Sequence, residues 1–185
     1  MRKLVALLLI LSATSLAAAD SVMSIPDIAV IDQNGKPAQF HRDLVKGKLV
    51  AMNFIFTSCT TVCTPMGANF AALQKLLGDR TDVVLISVSI DPSHDTPARL
   101  KAWSARFDAR PGWTLVTGSQ RDVETLVRAL GVYSGSTFDH SPVAIVGNDV
   151  TGQWTRVNGL VPPAKLVTML DAHRTRTTAQ ERSAK

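Results

Sequence analysis

Residues 49–65, LVAMNFIFTSCTTVCTP, decide how the chain folds. The run Leu49–Phe56 is short and almost wholly apolar, which is how a β-strand buried on both faces reads. Beyond it Met66, Phe70, Leu73, Leu76 and Leu77 recur at helical spacing as far as Gly78, a residue suited to ending a helix. A buried strand that feeds an amphipathic helix is the first half of a βαβ unit. At the junction lie Cys59 and Cys63, the only two cysteines of the 185 residues.

Outward from this stretch the pattern alternates. Val83–Ile90 is a second buried strand closed by Asp91-Pro92, and Asp95 or Thr96 with Pro97 caps a helix through Leu100, Trp103 and Phe107. Trp113–Val116 is a short strand; Ser119 with Asp122 caps a helix carrying Val123, Leu126, Val127 and Leu130 to Gly131. Val143–Val146 and Gly152–Val157 read as a hairpin, and Pro162–Asp171 as a last helix. Upstream, Ile28–Ile31, a turn at Asn34-Gly35 and Phe40 suggest an N-terminal β-hairpin. Alternating strands and helices predict an α/β protein, a three-layer sandwich around a central mixed sheet. The cysteines then sit where a strand ends and a helix begins, the edge at which function collects in such sheets. A helix N-terminus there also favours a thiolate.

The termini set the expected address. Arg2 and Lys3, an apolar run from Leu4 to Leu11 and the small residues Ala17-Ala18-Ala19 have the layout of a secretory signal peptide, residues 1–19, cut before Asp20. The expected location is therefore periplasmic, where idle neighbouring thiols tend to oxidise. Membrane association is expected only through a partner or an uncleaved N-terminus. One domain follows, residues 20–173, and then a basic tail, 174–185, which lacks large apolar residues and is expected to be disordered. The formal charge of +5 resides in Arg2, Lys3 and that tail, so the body is near neutral and a nucleic-acid partner is not indicated.

Four uses of the two sulfurs stay open on spacing alone. In helical geometry residues four apart share a face, so the pair suits one soft ion or a disulfide. A closed zinc site needs four ligands, which two cysteines do not supply, whereas soft sulfur with one imidazole suits copper. The three intervening residues depart from the simplest redox motif, and Thr60-Thr61-Val62-Cys63 satisfies only part of a peroxidase signature, Phe56 standing where a proline is expected. A structural staple closing so short a loop gains little chain entropy. Of the four histidines, His41 reads as a surface residue, His94 as a solvated loop residue on the functional edge, and His173 as a cation ending the last helix. His140 lies in FDHSPVAIV, beside Asp139 and directly before a buried strand, placed to face the cysteine loop.

Taken together, FTSCTTVC, SVSIDPSHDTPARL and DHS before a strand resemble the Sco/SenC family of copper-handling proteins, over about residues 25–172. The resemblance implies a thioredoxin-like fold and a copper ion held by Cys59, Cys63 and His140, with Asp91 and Asp139 as acidic neighbours. It implies a metallochaperone that supplies copper to the binuclear copper site of cytochrome c oxidase, its partner being a copper-accepting oxidase subunit. The alternative is a thiol-disulfide oxidoreductase that reduces that partner's cysteines through Cys59 and Cys63. The chain departs from the family at Thr60-Thr61, where Pro-Asp is usual, and at Pro142. A cis Ser141–Pro142 bond would lean the site toward thiol exchange.

Overall fold

The structure, a computed structural model, describes residues 20–132 and 141–183. Its centre is β4 (Leu49–Ile55), all seven residues of which are buried. On one side β4 pairs in parallel with β5 (Val83–Ser89), which pairs in parallel with β6 (Trp113–Gly118). On the other side it pairs antiparallel with β7 (Val143–Asn148), which forms a hairpin with β8 (Gln153–Asn158). Between the parallel strands run α1 (Cys63–Leu77) and α2 (Pro97–Ala105). Then come α3 (Gln120–Ala129), after β6, and α4 (Pro163–Ser183), after β8. The expected N-terminal hairpin is present as β2 (Ala29–Asp32) and β3 (Pro37–Gln39), followed by a π-helical turn at Phe40–Val45.

The hairpin joins the sheet beyond β6, and a strand that no sequence pattern predicts, β1 (Asp20–Val22), pairs with β8 at the opposite edge. The order is β1-β8-β7-β4-β5-β6-β2-β3, eight strands among the described residues. The segment from Met23 to Ile28 therefore crosses the sheet from edge to edge. Ile25 and Ile28 are buried on that face together with Val50, Met52 and Phe54 of β4 and with Val123, Leu126 and Leu130 at α3. The opposite face collects Leu49, Ala51 and Ile55 against Phe70 and Leu73 of α1, Leu100 and Trp103 of α2, and Leu166 and Leu170 of α4. Each such Val, Leu, Ile, Phe or Met side chain contributes about 1.5–3 kcal/mol on full burial, and the two cores make the three layers.

Close approach fixes where α1 lies. A Cβ at Gly67 would meet Phe107 ring carbons at 2.5 and 2.6 Å and the Trp103 ring at 2.7 Å, so glycine lets α1 sit flush on the aromatic side of α2. Phe70, Trp103, Phe107 and Trp113 continue that contact as one aromatic group, with Trp103 edge-on to Trp113 at 6.4 Å.

Several details differ from what the sequence predicts. Leu76, counted in the apolar stripe of α1, is exposed, because the helix presents only Met66, Phe70, Leu73 and Leu77 to the sheet. α4 runs on to Ser183, through the tail for which disorder is expected; Ala, Gln, Glu and Arg are good helix formers, and the missing apolar side chains remove only a packing face. His173 is accordingly interior to α4 rather than at its end. It is 2% exposed, with Nε2 3.0 Å from the Thr155 hydroxyl, and its carbonyl accepts from Asn148 Nδ2. His41 is half-buried instead of fully on the surface: Nε2 lies 2.8 Å from Asp149 Oδ1, tying the π turn to the β7–β8 turn.

Candidate functional site

The C-terminal ends of β4, β5 and β6 share one edge of the sheet, and the cysteine loop leaves from it. Cys59 is not on the helix, contrary to the same-face spacing. The helix begins only at Cys63, capped by Val62 without a side-chain hydrogen bond. The pair meets another way: a turn from the Phe56 carbonyl to the Cys59 amide brings the chain round, and the Cys63 N–H donates to Cys59 Sγ at 3.4 Å. A helix leaves its first N–H groups without internal partners, and here a sulfur accepts one of them.

That geometry makes the two thiols unequal. Burial pushes the Cys59 thiol up, but hydrogen bonds from the side chain and backbone of Cys63 and from Thr61 outweigh it, and its pKa falls below the ordinary thiol value. Burial pushes Cys63 up to about 12, and the adjacent Cys59 sulfur adds to the rise. Both residues are buried, at 7% and 0% exposed, and both are free thiols. Thr61, in one of the two positions where Pro-Asp is usual, places its hydroxyl 3.7 Å from Cys59 Sγ.

A lowered pKa means more thiolate at a given pH, and the thiolate is the species that alkylates. In the reduced, metal-free chain, iodoacetamide is expected to modify Cys59 first, with a pH–rate midpoint below that of an ordinary thiol. Cys63 should stay protonated and unreactive until the pH nears about 12. Peptide mapping against pH checks this, and a Cys59 midpoint at or above the ordinary value contradicts it.

His140 and Asp139 lie outside the described residues. What the structure does place is the strand that follows them. Ala144 pairs with Asn53 of β4, so Ser141-Pro142 enter the sheet at the edge from which the cysteine loop leaves. Met66, one turn past Cys63, is packed against that same point: a Cβ on Gly159 would lie 2.7 Å from the Met66 methyl and 3.2 Å from the Val143 amide nitrogen. The Gly159 N–H donates to the Pro142 carbonyl at 3.0 Å. No peptide bond among the described residues is cis, the Ser141–Pro142 bond included. Among the described residues no third His, Cys, Asp or Glu joins the two sulfurs in a group able to hold a metal ion.

Asp91 does not turn to the cysteines. Its carboxylate takes Ser93 Oγ at 2.7 Å and His94 Nδ1 at 2.9 Å, and His94 is exposed. Burial pushes the Asp91 carboxyl up, but the bonds from Ser93 and His94 prevail and hold it below the usual range. The acid that does reach the cysteine loop is Asp95, which the sequence offers only as a helix cap. Thr96 fills that role, its hydroxyl accepting from the Arg99 N–H at 3.3 Å. Two capping candidates before one Pro97 are the available signal that one of them serves elsewhere.

Known proteins share this fold. The SCO1/SenC family model matches residues 23–173. A SCO1 protein homolog from Bacillus subtilis (strain 168) is 38% identical over 96 residues, 50% of this chain and 49% of that protein; the chain's match thus spans about half the length of this curated relative. The solved structure of BsSco, described as a member of the Sco family of cytochrome c oxidase assembly proteins with a disulfide switch, superposes with a TM-score of 0.72 at 26% identity, covering 87% of this chain and 99% of BsSco. Arabidopsis thaliana ScoI, solved with copper bound, shares the fold at a TM-score of 0.70 and 22% identity, covering 84% and 99%.

Proposed function

This chain belongs to the SCO1/SenC family, and from that premise we propose that it is a copper carrier which holds one ion between Cys59, Cys63 and His140 and passes it to a partner protein. The observation that carries the reading is the meeting of two buried sulfurs at the start of α1, beside the edge where the strand following His140 enters the sheet. Two soft donors and one imidazole match copper's preference. Relatives bearing copper and a described role in cytochrome c oxidase assembly supply the rest: the proposed recipient is the binuclear copper site of an oxidase subunit. The proposed address is the periplasm, on the strength of the leader layout at residues 1–19. Among the described residues no helix is long and apolar enough to cross a membrane.

The thiolate is the metal ligand and a disulfide has none to offer, so loading is expected to depend on pH and to be blocked when the pair is oxidised. Anaerobic titration of the reduced chain with Cu(I) is expected to give one equivalent tightly bound, none after oxidation of Cys59 and Cys63, and weaker binding in His140→Ala. Absence of tight binding, or binding unaffected by His140→Ala, defeats the reading.

The inequality of the thiols favours a second one, disulfide exchange. Cys59, the more exposed and more acidic, would attack a partner disulfide. Cys63 would then displace the partner's sulfur, leaving the partner reduced by two electrons and the Cys59–Cys63 pair oxidised.

A further inference from the structure

The cysteine loop is held from outside by a carboxylate. Asp95 is 1% exposed and lies in the connection between β5 and α2. Its Oδ2 accepts the Thr57 N–H at 3.0 Å and the Ser89 hydroxyl at 2.7 Å, and its Oδ1 accepts the Thr57 hydroxyl. Each hydroxyl is used twice: Thr57 Oγ1 also accepts from Arg99 Nε at 3.2 Å, and Ser89 Oγ from the Asp91 N–H at 3.2 Å. Among the described residues the partners of Asp95 are an amide and hydroxyls rather than a cation. Burying a charge on such terms costs stability unless its lone pairs are filled, and the α2 cap that would otherwise explain an acid here belongs to Thr96.

We propose that Asp95 is the positioning residue of the cysteine loop: by fixing Thr57, two residues ahead of Cys59, it sets where the Cys59 sulfur meets the N-terminus of α1. The loop has little else to fix it. Beyond the contacts that Asp95 and Arg99 make with Thr57, the described bonds between Phe56 and the helix are the turn to the Cys59 amide, the contact of Thr61 with Cys59, the Cys63 N–H on sulfur and the Met66 N–H on the Val62 carbonyl. Asp95 ties this loop to the end of β5 and the start of α2, so the connections after β4 and β5 behave as one body. The inference rests on the reading of Cys59 and Cys63 as the working pair, but it needs no copper.

The test is therefore made on the reduced, metal-free chain, comparing alkylation of Cys59 and Cys63 by peptide mapping alongside urea unfolding. Thr57→Val, which keeps the carboxylate, is expected to raise Cys63 labelling relative to Cys59 by about tenfold, the worth of a hydrogen bond to a charged group; Asp95→Asn should shift the ratio further, because it also removes a negative charge that holds the Cys63 thiol up. Thr57→Ser, which keeps the hydroxyl, should retain the parental ratio. A merely structural role lowers the unfolding midpoint and leaves the ratio alone. A folded Thr57→Val chain with the parental ratio would overturn the proposal. If Asp95→Asn does not fold, Thr57→Val, which keeps the carboxylate and its amide and Ser89 partners, decides it alone. Failure of copper binding with the ratio shifted as expected would sink the carrier reading and leave this one standing.

Discussion

A Cys63→Ser chain is expected to stay folded and to bind Cu(I) on the order of a hundredfold more weakly, since a hydroxyl is a hard donor where copper needs soft sulfur. Serine is close in shape, and Cys63 fills the buried first turn of α1, so the fold has little to lose. The same variant separates the two readings of the site. A carrier loses its cargo and forms no covalent product. An exchange protein deprived of its resolving sulfur stalls as a mixed disulfide through Cys59, and partner-linked chains accumulate under non-reducing electrophoresis. Parental copper affinity in Cys63→Ser would remove Cys63 from the ligand set.

Trp113→Ala is expected to cost about 3–5 kcal/mol of stability, the usual range for deleting a large buried aromatic. Trp113 is 2% exposed and packs against Phe70, Trp103 and Phe107, which link α1 and α2 over the sheet. The indole also serves as a donor. Its Nε1–H donates to Ser87 Oγ at 2.9 Å, and that hydroxyl donates to Asn53 Oδ1 at 2.6 Å across β5 and β4. Removing the indole leaves a cavity and takes a donor from a buried chain of polar groups. Trp113→Phe keeps most of the packing and is expected to cost less, about 1–3 kcal/mol for the polar group left short of a partner. Urea unfolding checks both, read as a fall in the midpoint at an unchanged slope. A loss below about 1 kcal/mol in Trp113→Ala would mean the core closes over the gap.

The central strands are legible in the sequence because strands covered on both faces leave continuous apolar runs, Leu49–Phe56 and Val83–Ile90, that no surface constraint interrupts. The helix starts are legible where a side chain does the capping, as Ser119 does for α3. At α1 the residue before the helix, Val62, offers no capping side chain, and the spacing of Cys59 and Cys63 reads as helical although the helix begins only with the second of them. β1 is three residues long and owes its existence to β8, far away in the chain, so no local pattern announces it. His173 looks terminal because the apolar rhythm stops near it, while its burial is decided by Thr155 on β8. Asp95 is hidden for the same reason: its partners, Thr57 and Ser89, converge only once β4 and β5 are side by side.

The crossing from β1 to β2 bears on how the molecule is made. Asp20 finds its place against Thr155, and Val30 against Gly118, so the earliest-synthesised part of the domain is among the last that can be seated. Contacts of such long range are slow to form. Until they do, Val50, Met52 and Phe54 lack the cover of Ile25 and Ile28, and the nascent chain carries a greasy, open flank that invites self-association or a holding chaperone.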